Sequence, residues 1–165
     1  EIRMQVTRKL PATHRTQQGV SLLEVLIAVL IMGIGLLGIA AMQTTALRNN
    51  QSSLERSQAV IQSYAILDAM RANRDAALLG AYNTGGLICA PPVGTSHAAT
   101  DIGAWMNSME TTMGNPLGDT TTCGDIACDA GTNICTVSVT WDDSRAVDAD
   151  GAGSAAREVV TVARL

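Results

Sequence analysis

The feature that most constrains this chain is a stretch of 21 residues from Leu22 to Met42, LLEVLIAVLIMGIGLLGIAAM, whose only charge is Glu24. As a helix rising about 1.5 Å per residue it covers roughly 30 Å, the thickness of a bilayer's hydrocarbon core. The competing reading is a helix buried in a large soluble core. The rest of the chain, with no Phe, two Trp and two Tyr, is too poor in large apolar residues to surround it. A cleaved secretory signal is the other alternative, and AAMQTTALRNN after the run contains small residues. The run is longer than a usual signal core, though, and the sequence continues as a helix without a break, so the segment reads as retained.

Charge divides at the same place. Residues 1–19 hold Arg3, Arg8, Lys9 and Arg15 against Glu1, a balance of +3, and the remaining 7 basic and 14 acidic residues give -7, for the net -4. A basic segment ahead of an apolar span fits the cytoplasmic side of a membrane. An acidic remainder without Lys or Arg clusters argues against nucleic acid as a partner. The basic leader begins at either Glu1 or Met4.

Gly33, Gly35 and Gly38 spell G-x-G-x-x-G, but that pattern binds dinucleotides only after a strand in a βαβ unit, which a membrane segment cannot supply. The glycines instead weaken the helix, by up to about 1 kcal/mol each, and permit close helix approach. Beyond Met42 neither Pro nor Gly occurs before Gly80. Leu47, Leu54 and Ile61 recur every seven residues, with Tyr64 and Ala65 continuing the stripe, while Arg48, Glu55, Arg56, Asp68 and Arg71 fall mostly off it. The pattern predicts one helix from about Val20 to about Arg74, apolar all round in its first half and amphipathic in its second.

The head of this helix, RTQQGVSLLEVLIA, resembles the class III leader junction of type IV pilins and type II secretion pseudopilins. In that family a short basic leader ends in Gly, and an apolar helix follows with Glu five residues past the cut. The resemblance implies that a prepilin peptidase cleaves between Gly19 and Val20 and methylates the new amine of Val20, where the family more often has Phe. Glu24 lies one turn along. An unpaired carboxylate in hydrocarbon costs several kcal/mol and becomes tolerable beside a cation, here the amine that cleavage creates in the same or a neighbouring subunit. The resemblance gives Glu24 a role in assembly and subunit docking. A Glu favoured only by the helix dipole and snorkelling to the headgroups is the plainer alternative. EVLIAVLIMGIGLLGIAAMQTTALRNN, DAMRANRDAA and TVSVTWDD together are more closely similar to the minor pilins called type IV pilus modification proteins. That similarity is strong over residues 17–49, fair to about 77, and weak beyond, where only the Trp141 strand resembles them.

After Gly80 the chain turns to Gly, Thr, Asn and Asp, with GG at 85–86 and PP at 91–92, which read as turns. One short helix is expected, with Asp101 capping DIGAWMNSMETTM, Trp105, Met109 and Met113 in a core stripe, and Gly114 and Pro116 ending it. Two strands follow. ICTVSVTW sets Cys135, Val137, Val139 and Trp141 on one face, and REVVTVARL sets Val160, Val162 and Arg164 opposite Val159, Thr161 and Ala163. DDSRAVDADGAGSAA between them reads as a mobile loop. A hairpin on the amphipathic half of the helix gives an α+β roll, which also resembles the pilin fold.

Cys89, Cys123, Cys128 and Cys135 all lie after the span and read as two disulfides of an exported head, with all three connectivities open. The bridges are expected to tie the 80–130 loops to the Cys135 strand. Zinc is the rival, but C-x4-C-x6-C is not a usual finger spacing. DADGAGSAARE at 148–158 lacks an oxygen ligand at Ala152 and closes one residue early for a calcium loop. Ser96 and His97 are adjacent in a loop-like stretch without G-x-S-x-G, which disfavours a nucleophile. No cofactor and no enzymatic activity are expected.

These readings combine into a leader at 1–19, a membrane half-helix at 20–42, an amphipathic half-helix at 43–76 and a disulfide-containing periplasmic head at 77–165. The resemblance implies a structural minor pilin of the inner membrane, with cytoplasmic N-terminus, that then enters the pilus near its tip. Its partners would be the prepilin peptidase, other minor pilins, the major pilin, the inner-membrane assembly machinery and, before assembly, membrane lipid. It would prime assembly and support twitching motility and adhesion. The major-pilin reading is weaker, because 30 residues follow Cys135. An I-type minor pseudopilin of type II secretion and a bitopic periplasmic ligand-binding protein are the rivals.

Overall fold

The computed structural model describes residues 19–113, 120–146 and 153–165. They divide into two compact units, up to Ala40 and Ala41–Leu165. Helix α1 (Leu22–Ala72) runs through both without a break, its three glycines included. In the first unit every described residue is exposed.

In the second unit α1 is followed by α2 (Arg74–Leu78), α3 (His97–Thr112) and the strands β1 (Cys123–Asp129), β2 (Ile134–Asp143) and β3 (Ser154–Arg164). The strands form an antiparallel sheet in the order β1-β2-β3. This is the long-helix, small-sheet α+β arrangement the sequence implies, with one strand added. In β1, CGDIACD, Ile126 is the single β-branched residue, and local pattern gives no strand signal. Pairing with β2 imposes one.

Cys135, Val137, Val139 and Trp141 of β2 are buried, as their alternation predicts. Trp105, Met109 and Met113 join Ile102 and Met106 in the core. The helix that carries them starts earlier than expected. Ser96 is the cap of α3, its Oγ accepting from the Ala99 N–H at 3.1 Å. Asp101 lies inside the helix and accepts from the Tyr82 hydroxyl at 2.5 Å. The expected stop at Gly114 and Pro116 lies outside the described residues. Of the expected mobile loop, Asp142 and Asp143 belong to β2 and Ser154, Ala155 and Ala156 to β3, while 147–152 lie outside the described residues.

The face of α1 turned to the head is not the apolar stripe. Leu47, Leu54, Ile61, Tyr64 and Ala65 are exposed, and Glu55, Ala59, Gln62, Ser63, Ile66, Leu67 and Met70 are buried, about 150° away on a helix of about 100° per residue. Small and polar residues serve this face because the head brings the bulk, two Trp and three Met, and needs room and hydrogen bonds in return. The Trp105 indole N–H donates to the Gln62 carbonyl at 3.0 Å, and the Gln62 amide donates to Ser108 Oγ at 2.8 Å. Ser52 Oγ donates to Asp143 Oδ2 at 2.6 Å, Arg145 pairs with Glu55 at 3.3 Å, and Met70 Sδ lies 3.9 Å from Cys128 Sγ. These contacts run α1 antiparallel to β2 and so parallel to β1 and β3. At Gly124 a Cβ would collide with the Trp105 ring, so only glycine lets the indole lie on the strand.

The two edges of the sheet differ. The segment 83–88, turned at Gly85 and Gly86 with φ of 73° and 135°, lies along β1. Ile88 and Gly124 exchange backbone bonds at 2.8 Å. Thr84 N–H donates to the Ile126 carbonyl and its Oγ1 accepts from Ile126 N–H, both at 3.0 Å. Asn83 accepts from Cys128 N–H at 2.7 Å and donates to the Cys128 carbonyl at 3.3 Å. Cys89–Cys123 pins this segment to β1, and Cys128–Cys135 joins directly facing residues of β1 and β2. The second bridge reaches the Cys135 strand as expected; the first ends on β1 instead. β3 forms the opposite edge.

Two predictions concern stability. Removing Cys89–Cys123, which closes 34 residues, should cost about 4 kcal/mol and removing Cys128–Cys135, which closes 7, about 2 kcal/mol, read by denaturant titration of Cys→Ser pairs. Burial raises the Glu55 carboxyl above its ordinary 4.5, Arg145 opposing it. The folded chain therefore keeps this proton to higher pH than the unfolded chain, and stability falls as pH rises from about 4.5 through the raised value. In Glu55→Gln that decline should vanish, so its advantage in Tm over the native chain grows from about pH 4 to about pH 8.

Candidate processing and docking site

α1 begins where the leader would end. Gly19 and Val20 lie ahead of the helix and are exposed, and a Cβ on Gly19 would meet nothing within 4 Å, so the junction is sterically open. Ser21 starts the helix. Its Oγ accepts from the Leu23 N–H at 3.3 Å, and its carbonyl accepts from the N–H of Glu24 at 3.0 Å and of Val25 at 3.2 Å. The bond from Val25 is the first regular one of the helix, and those from Leu23 and Glu24 use two of the four donors that a helix start leaves unpaired. Ser21-x-x-Glu24 has the spacing of a capping box, the sequence signal for this helix start.

Glu24 occupies the first turn of α1, where the helix dipole favours a negative charge. It is exposed and makes no ion pair with any described residue. Around and beyond it Leu22, Leu23, Val25, Leu26 and Ile27 are exposed as well, Leu22 at 90 %. A Cβ on Gly33, Gly35 or Gly38 would meet nothing within 4 Å, so these glycines leave smooth patches on the helix surface. By length and composition α1 can cross a membrane: its most apolar window has a mean hydropathy of 2.8 and is wholly unburied.

The other residues singled out lie in the head. All four cysteines are paired with one another. Among the described residues no three His, Cys, Asp or Glu side chains are grouped to hold a metal ion. The Ser96 hydroxyl is taken up by the α3 cap, and His97 is the first residue of that helix. Of the acidic 148–158 loop, 148–152 lie outside the described residues, and 154–158 form the start of β3. Clefts of about 240 and 350 Å³ beside α3 share Ala69 and Asp101, and Asp101 is already bonded to Tyr82.

No curated protein and no solved structure matches the chain. A family model does: residues 14–40 match the prokaryotic N-terminal methylation motif, which covers the leader junction, the cap at Ser21, Glu24 and most of the apolar run. The motif, with the unburied apolar helix behind it and the α+β head, supports a type IV pilin- or pseudopilin-like protein, suited to anchoring in a membrane and to handling by prepilin peptidase.

Proposed function

We propose that the protein is a minor pilin of the type IV pilus, of the PilV type, and a structural subunit instead of an enzyme. The methylation motif at residues 14–40 carries this reading. Cleavage between Gly19 and Val20, followed by methylation of the new amine, leaves a cation just ahead of the α1 first turn. The head stays in the periplasm while residues 20–42 hold the membrane, and the 43–76 half-helix and the 77–165 head form the exported body. Other minor pilins, the major pilin and the inner-membrane assembly machinery are its partners.

The exposed stripe supports a filament subunit over a bitopic binding protein. Leu47, Leu54, Ile61 and Tyr64 continue the apolar surface of the span onto a part of α1 whose opposite face is covered by the head. Contiguous apolar surface of this kind marks a protein interface. In the fibre it packs against neighbouring helices, and Glu24 exchanges lipid for the Val20 amine of a neighbouring subunit. The assembled subunit then primes fibre growth near the tip and supports twitching and adhesion.

Two measurements test this. N-terminal sequencing of the membrane form should return N-methyl-Val20; an intact leader or a start near Thr45 would point to the rivals outside the family. Glu24→Ala should be inserted and cleaved normally yet be lost from sheared pili. Native levels of the variant in that fraction refute the docking role, and a requirement for protein secretion without any effect on pili moves the chain to the pseudopilins.

A further inference from the structure

Where β1 is sealed, β3 is bare. The bonds from segment 83–88 go to the backbones of Gly124, Ile126 and Cys128, so these residues point their N–H and C=O groups away from β2. In an antiparallel ladder hydrogen-bonded and non-hydrogen-bonded pairs alternate. Cys123, Asp125 and Ala127 therefore bond to Thr140, Ser138 and Thr136 of β2, which leaves Cys135, Val137, Val139 and Trp141 to bond across to β3. Their β3 partners are Ala163, Thr161, Val159 and Arg157. It follows that Glu158, Val160, Val162 and Arg164 turn their backbone groups outward, and these groups have no partner among the described residues. The side chains of the same four residues are exposed, Val160 at 53 % and Val162 at 63 %. A long edge with two bare valines is a template for strand addition.

The order of these residues selects the added strand. Laid against its own reverse about Thr161, the edge sets Glu158 opposite Arg164 and Val160 opposite Val162. Each of these is a pair of outward-bonding residues, so charge, apolar match and hydrogen-bond phase agree in one register. The two neighbouring symmetric registers, centred on Val160 or Val162, set Glu158 against Val162 or Val160 against Arg164 and lose the charge match. Opposite charges facing across strands are favourable, and like charges in the same places are destabilising.

We propose that the β3 edge binds a second copy of this chain, antiparallel and two-fold symmetric about Thr161, extending the sheet from three strands to six. Because α1 runs parallel to β3 within the head, the pairing reverses one head helix against the other, and the two chains enter the joined sheet from opposite ends. The edge contact is independent of the pilin reading.

The test uses the full chain and two exposed charge reversals, Glu158→Arg and Arg164→Glu. In detergent, light scattering should show a two-copy species for the native chain. Each variant alone faces like charges across the contact, two cations in Glu158→Arg and two anions in Arg164→Glu, and should lose that species. An equimolar mixture of the two variants restores opposite charges at both ends in one pairing of unlike copies and should recover it, which misfolding would not produce. A native chain that stays single, a single variant that pairs like the native chain, or a mixture no better than its components overturns the proposal.

Discussion

The head depends on one strip of α1. Between Ser52 and Met70 the helix supplies the surface on which β2 and α3 settle, and it does so with alanine, serine, glutamine and one glutamate as much as with Ile66, Leu67 and Met70. Small side chains let the Trp105 and Trp141 rings approach, and Gln62 ties down the first of them through its backbone and, through its side chain, the helix that carries it. Substitution by larger apolar residues along this strip would overfill a core whose volume is already provided from the other side. The same logic acts at Gly124, where the missing side chain is part of the packing of Trp105.

This division of labour explains what can and cannot be read from the sequence. The span, the helix length, the inward face of β2 and the Trp105–Met109–Met113 stripe all follow from periodicity, because there the residues facing the core are the apolar ones. The orientation of α1 does not follow. Leu47, Leu54 and Ile61 form the stronger apolar signal, yet hydrophobicity does not say whether a surface is hidden within one chain or between chains. β1 is invisible to local pattern because its strand character comes from β2 and from segment 83–88, not from CGDIACD itself. The disulfide pairing depends on that unseen register, which sets Cys128 opposite Cys135. At the processing site the Gly–Val junction and Glu24 stand out as a motif, and the spacing of Ser21 from Glu24 is the signal that marks the cap.

Polar groups within the head are placed with similar economy. Ser52, Asp143 and Arg157 form a chain of bonds at 2.6 and 3.2 Å linking α1, β2 and β3 at one end of the sheet. Glu55 and Arg145 stand beside it, and the Trp141 indole N–H, with no well-formed bond among the described residues, lies close enough to favour the charged form of Glu55. At the other end Tyr82 collects Asn73 and Asp101, binding the α1–α2 corner to α3. Asp129, held below its usual range first by the Gly131 N–H, steadies the exposed turn between β1 and β2.

The separation of the two faces of α1 has a consequence for how such a chain can change over generations. Residues 54 and 55, or 61 and 62, are neighbours in the gene but point in different directions on the cylinder, one towards whatever lies outside the chain and one into its own core. A head can therefore drift in loop length, charge and surface while its seat at Glu55, Ala59 and Gln62 is kept. The outward row at Leu47, Leu54 and Ile61 can meanwhile hold constant for a different reason. One helix carries two separable inheritances, and a substitution in either can be neutral to the other.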